Sequence, residues 1–154
     1  MHRHGSRVAG AIGAAAIAVS AWGGIAAPRY ADLPGRSAPG SIGVDVELVM
    51  AVDISYSMDM DELALQREGS AQAVASQEFL NALKQGTNGK VAVTLVEWAG
   101  IADQRVVVPW RLIDGAAAAQ AVSQEMARAP VRRAFRTSIS GALMFSAALF
   151  ENNG

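Results

Sequence analysis

The sequence predicts an α/β protein, an open sheet flanked by helices, from three observations. Two runs, Val44 to Val52 and Val91 to Trp98, have the length and the β-branched, apolar content of strands. Proline-free stretches with apolar residues at helical spacing follow each of the strand regions. Glycine and proline punctuate the joins between them. The resulting order of strand, helix, strand, strand, helix, helix is the first part of such a sheet. A chain of 154 residues with 51% hydrophobic and 18% charged residues is sized for one globular domain.

The chain opens with a basic start, Arg3 and Arg7 beside His2 and His4, and then the apolar run Val8 to Val19. Small residues follow, with Ala21-Trp22-Gly23 or Gly24-Ile25-Ala26 as cleavage candidates. Residues 1–27 therefore read as an export signal peptide, placing the mature protein in the periplasm or outside the cell. The competing reading is an uncleaved helix anchored in the inner membrane, since Val8 to Ala27 approaches the ~20 residues that a span needs. Residues 28–43, with Pro28, Pro34, Pro39, Gly35, Gly40 and Gly43, read as a linker. Domain structure is expected over 44–154.

The first strand alternates at Val44, Val46 and Leu48, then becomes continuously apolar to Val52, as a strand buried on both faces at its exit would. One helix is expected between Asp61 and Gln85, with Asp59, Asp61 and Glu62 as favourable charges at its start and Gly86 and Gly89 past its end. After Val91 to Trp98, the segment Gln104 to Trp110 follows closely enough to make an antiparallel hairpin, and Pro109 suggests an edge strand. Asp114 is the expected cap of an alanine-rich helix to Arg128. A loop, Ala129 to Arg136, leads to Thr137 and a last helix, Ser138 to Glu151. A strand as apolar as Leu48 to Val52 belongs in the middle of a sheet, so the sequence is expected to be truncated at its C-terminus, with the first strand left as an exposed edge.

Composition excludes much chemistry. There is no cysteine, and both histidines, His2 and His4, lie in the leader. Disulfides, thiolate metal sites, Ser-His-Asp triads and histidine-ligated metals are therefore absent from the mature chain. Two of the 13 basic residues but none of the 14 acidic ones lie in the leader, which leaves a mature charge of about −3 and argues against nucleic acid as a partner.

Ligands of open α/β sheets bind beyond the carboxyl ends of the strands. Asp53 stands at such an end, followed at steps of two by the hydroxyls of Ser55 and Ser57. One carboxylate and two hydroxyls are hard oxygen donors, which suit Mg²⁺ or Mn²⁺ and leave a coordination position for an outside carboxylate. Asp53-Ile54-Ser55-Tyr56-Ser57 after an apolar strand resembles the metal-ion-dependent adhesion site of von Willebrand factor A domains. Thr137-Ser138-Ile139-Ser140-Gly141-Ala142-Leu143 is similar to the second metal loop of that family. The run Val44 to Met58 also resembles an uncharacterised family of exported bacterial proteins of this type. The resemblance covers Val44 to about Glu151 and implies a Rossmann-like sheet with flanking helices. It implies that Ser55 and Ser57 hold the ion directly, Thr137 directly or through water, and Asp53 mostly through water. It further implies a non-enzymatic adhesion module whose protein partner supplies a carboxylate. A third metal loop, with an aspartate, is absent from the sequence.

Each residue has a plainer alternative. Asp53 and the serines could form only a turn, and Thr137 could only cap the last helix. Arg132, Arg133 and Arg136 could attract an acidic partner or form a solvated basic loop. Trp98 and Trp110 are packing residues or, if exposed, interface residues. Two other functions stay open: a phosphoryl-transfer enzyme of the haloacid dehalogenase kind with Asp53 as nucleophile, and a scaffold that binds through its surfaces without metal. The enzyme needs a second aspartate two residues on, where Ser55 stands.

Overall fold

The computed structural model describes residues 41–151, so the expected leader and most of the expected linker lie outside the described residues. The elements are β1 (Val46–Asp53), α1 (Met60–Val74), α2 (Gln77–Leu83), β2 (Val91–Trp98), β3 (Gln104–Ile113), α3 (Ala116–Arg128) and α4 (Ile139–Leu149). The sheet has the order β1-β2-β3. β1 and β2 are parallel, in register from Val46 opposite Val91 to Asp53 opposite Trp98, and β2 and β3 form the expected antiparallel hairpin. The α/β arrangement is the one the sequence predicts.

β2 is the buried strand, and among the described residues β1 stands at the exposed edge that the sequence predicts. Val93, Leu95 and Val96 are inaccessible, whereas Val46 and Leu48 of β1 are exposed. Among the described residues β1 has a ladder partner on one side only. The apolar character of Leu48 to Val52 therefore exceeds the burial these residues receive. Pro109 lies on β3, at the other edge, where its missing N–H costs no ladder bond. The register slips beside it, where Thr94 Oγ1 donates to the Val108 carbonyl at 2.8 Å.

The single helix expected over 61–85 is two. Ser76 breaks it by turning its hydroxyl to the Phe79 N–H and capping α2. Asp59 begins α1 with a reciprocal capping box: its side chain accepts from Asp61 and Glu62 N–H, and Glu62 accepts from the Asp59 N–H. Asp114 is not a cap; Gly115 takes that position in α3 without a side-chain bond. Leu63, Ala71 and Val74 of α1, Ala119, Val122 and Met126 of α3, and Val93 and Leu95 of β2 share the main core. α4 packs against β1 and β3 and buries only Gly141 and Ala142. Trp110 is half-buried, its Nε1 donating to the Leu149 carbonyl at 3.3 Å and its ring tilted against Phe150, which fits its packing role.

At the amino end of the sheet, Asp45 locks the entry to β1. Its carboxylate accepts from Asn88 N–H at 2.8 Å and Lys90 N–H at 3.1 Å. These bonds, the Asn88 amide first, hold its pKa below the ordinary carboxylate value. Gly86 makes room for the clamp: a Cβ there would stand 2.2 Å from Asp45 Oδ2.

Candidate metal site at the carboxyl end of the sheet

β1 delivers the chain to its carboxyl end, where Ile54 is buried and its N–H continues the ladder to the Trp98 carbonyl at 3.0 Å. That anchor fixes the turn that follows. Asp53 Oδ1 accepts from the Ser55 N–H at 2.7 Å, an Asx-type closure that aspartate makes readily. The Met58 N–H donates back to the Ser55 carbonyl at 3.2 Å. Within this turn the Ser55 and Ser57 hydroxyl oxygens lie 2.8 Å apart. Ser55 is only 2% accessible, Asp53 is half-buried and Ser57 is exposed, so the three oxygen-bearing side chains run from the interior to the surface.

The second loop lies beside the first. Ser55 and Ala134 form a parallel bridge, and the Ala134 N–H donates to the Ile54 carbonyl at 2.9 Å. Arg133 Nη2 donates to the Tyr56 carbonyl at 2.7 Å, and the Ser138 N–H to the Ala99 carbonyl at 2.7 Å. Gly100 permits this approach, because a Cβ there would lie 3.3 Å from the Phe135 carbonyl. Arg136 takes a left-handed backbone, φ 71°, immediately before Thr137. Thr137 is exposed and does not cap α4; Ser138 does, accepting from the Gly141 N–H at 3.1 Å. The structure thus joins Asp53, Ser55 and Ser57 by direct hydrogen bonds. The second loop is bridged to the first at Ala134, and Thr137, three residues further on, has no hydrogen bond to the other three among the described residues.

Beneath the two loops lies a charge cluster that the sequence reading did not single out. Glu97 of β2 is fully buried and bonded to three arginines from three parts of the chain. Arg67 of α1 pairs with its Oε1; Arg105 of β3 and Arg132 of the loop reach Oε2 at 2.9 and 3.0 Å. Arg132 also pairs with Asp103 at 2.8 Å, and that carboxylate, with Glu97 behind it, raises the Arg132 pKa further above its usual value. Arg67, itself buried, donates to the Ala129 carbonyl at 3.0 Å as well. The solvated basic loop considered for Arg132 is therefore corrected: its guanidinium is bound to two carboxylates and ties the loop to the sheet. A signal was present. Glu97 falls inside an otherwise apolar strand, and Arg67 falls on the helical face of Leu63, Ala71 and Val74, where only a paired charge is tolerated.

Chemically, the turn offers one carboxylate and hydroxyl oxygens. Among the described residues no three histidine, cysteine, aspartate or glutamate side chains come together, so the donor set is weakly charged and hard. No helix among the described residues is long and apolar enough to cross a membrane.

Residues 43–154 match the family described as Protein of unknown function (DUF1194). No curated protein matches the chain. Among solved structures it is similar to the vWF domain of the type V pili tip protein Mfa5 from Porphyromonas gingivalis, with 23% identity and a TM-score of 0.42 over 73% of this chain and 34% of that one. It is also similar to a structure of three N-terminal domains of the same pilus protein, at 23% identity and TM-score 0.42, over 70% of this chain and 17% of that one. The chain thus spans about a third or less of the length of these structures.

Proposed function

We propose that this chain, which belongs to the family described as Protein of unknown function (DUF1194), is an exported adhesion-type binding module of the von Willebrand factor A kind. In this reading Asp53, Ser55, Ser57 and Thr137 hold Mg²⁺ or Mn²⁺, and the ion takes a carboxylate from a protein partner as its last ligand. The observation that carries it is the 2.8 Å separation of the Ser55 and Ser57 hydroxyls at the end of β1. Adjacent oxygens on an octahedral Mg²⁺, each at about 2.0–2.1 Å from the ion, lie about 2.8–3.0 Å from one another. The fit extends to chemistry, since hydroxyls and one carboxylate match the hard donors Mg²⁺ prefers. An ion bound there would supply a positive charge with a coordination position for an acidic side chain. The residues themselves orient the oxygens: Ile54 anchors the turn, the Ser55 N–H fixes the Asp53 carboxylate, and the Glu97 cluster secures the second loop.

A phosphoryl-transfer role for Asp53 has less support, because a buried serine occupies the position where the general acid is needed. Calorimetric titration of the full chain with MgCl₂ and MnCl₂ tests the proposal. Uptake of one ion is expected, together with a stability gain of about 2.7 kcal/mol at a hundredfold excess over Kd. Replacing both Ser55 and Ser57 by alanine should abolish both effects while leaving the metal-free melting curve nearly unchanged. No uptake by the unmodified chain would overturn the metal reading and favour the metal-free scaffold.

A further inference from the structure

The residues interleaved with the proposed ligands form a surface of their own. Tyr56 lies between Ser55 and Ser57, and Phe135 lies two residues before Thr137. Their rings stack at 4.3 Å with an interplanar angle of 16°, and the Arg133 guanidinium carbon lies 4.3 Å from the Tyr56 ring centroid. The stack joins the two loops, yet Tyr56 is 50% and Phe135 73% exposed. A stack that served only to tie the loops together gains nothing from leaving this much aromatic surface in water. Ile101, in the β2–β3 turn, and Ile139, at the start of α4, are also exposed at this end of the sheet.

The charges around it are mixed: Asp59, Asp61 and Glu62 stand exposed at the start of α1, and Asp103 is paired with Arg132. Arg133 and Arg136 flank Phe135, and Arg105 is exposed at the rim of the Glu97 cluster, while Glu97 itself is inaccessible and already bonded. An aromatic surface edged by arginine suits an acidic segment whose carboxylate is followed by a ring.

We propose that the Tyr56–Phe135 stack with Arg133 is a recognition surface for an acidic peptide segment of a partner protein, one that presents an aromatic residue next to its carboxylate. The proposal deepens the reading above, from which it takes the ion as the seat of the carboxylate. The ring then packs on the open surface of Phe135 and sets which acidic segments are accepted. One added aromatic pair strengthens association by about 2- to 10-fold.

The test uses the full chain and two capped, dye-labelled pentapeptides, Gly-Gly-Asp-Phe-Gly and Gly-Gly-Asp-Ala-Gly, titrated in MgCl₂ and again in chelator. The phenylalanine peptide is expected to bind about 2- to 10-fold more tightly than the alanine peptide. Phe135→Ala should reduce that ratio to one while the chain still takes up magnesium, because the ring bears none of the proposed ligand oxygens. Equal affinity of the two peptides, no binding of either, or a preference that survives Phe135→Ala would overturn the proposal. The two readings fail separately. A chain that takes up no magnesium but keeps the phenylalanine preference sinks the ion and supports the surface. A chain that takes up magnesium without that preference does the reverse.

Discussion

Two carboxylates end adjacent strands of this sheet, and their surroundings are opposite. Glu97, at the end of β2, is fully buried and bonded to three guanidinium groups. Asp53, opposite Trp98 at the end of β1, accepts one backbone N–H and stays partly open to solvent. Burial without partners costs an ionised group several kcal/mol, so Glu97 is stable only as part of its cluster. Asp53 has no such obligation and keeps capacity for a water or an ion. The difference separates a carboxylate committed to holding the fold from one left partly open to solvent, although the sequence places both at the same end of neighbouring strands.

The sharpest way to break this contrast is to neutralise each carboxylate in turn. Glu97→Gln should lower the unfolding free energy by about 3–5 kcal/mol, because it leaves Arg67 buried without its counter-charge. Asp53→Asn, which retains an oxygen for the Ser55 N–H, should cost under about 1 kcal/mol in metal-free buffer. Urea denaturation of both variants measures the pair, and equal losses would erase the distinction.

A second comparison sets the carboxyl end of the sheet against its amino end, where Asp45 is another committed carboxylate. Gly86→Ala should destabilise by about 1–3 kcal/mol, since the new Cβ displaces the clamp. Combined with Asp45→Ala, the loss should be smaller than the sum of the two, because both act on one contact. Thermal melts of the four proteins in that cycle give the coupling. The pH dependence follows from the sign of the shift. The folded pKa of Asp45 lies below its ordinary value of 3.8, so its contribution is present above that value and is lost as pH falls through the folded pKa. Asp45→Asn should therefore show a flatter decline in melting temperature below about pH 4 than the unmodified chain.

The smallest effect is expected at Arg111 and Glu125. Their two bonds of 2.8 Å raise the arginine and lower the glutamate pKa, but both side chains stand largely in solvent. Arg111→Ala should cost under about 1 kcal/mol, and less at high salt, as measured by melting at two ionic strengths.

Much of this was legible in the sequence where local chemistry dominates. The hairpin of β2 and β3, the edge position of Pro109, and the Asp53 to Ser57 turn all follow from residue type and spacing. What escaped depends on contacts between distant segments. Ser76 reads as one more small residue of a helical face until its hydroxyl is found on the Phe79 N–H. Two partners of Glu97, Arg67 and Arg132, lie 30 and 35 residues away, a distance that no local pattern can span. Thr137 could be named from its loop, but the division of labour in which Ser138 caps the helix emerged only from geometry.

The outer rim of β1 has a consequence for handling the protein. Its peptide groups on that side have no ladder partner among the described residues, and Val46 and Leu48 are exposed beside them. Such a rim can zip onto the same rim of another molecule, with Glu47 as the intervening charge that opposes it. Self-association should therefore grow with concentration and with screening salt, and light scattering of concentrated samples is where it would first be seen.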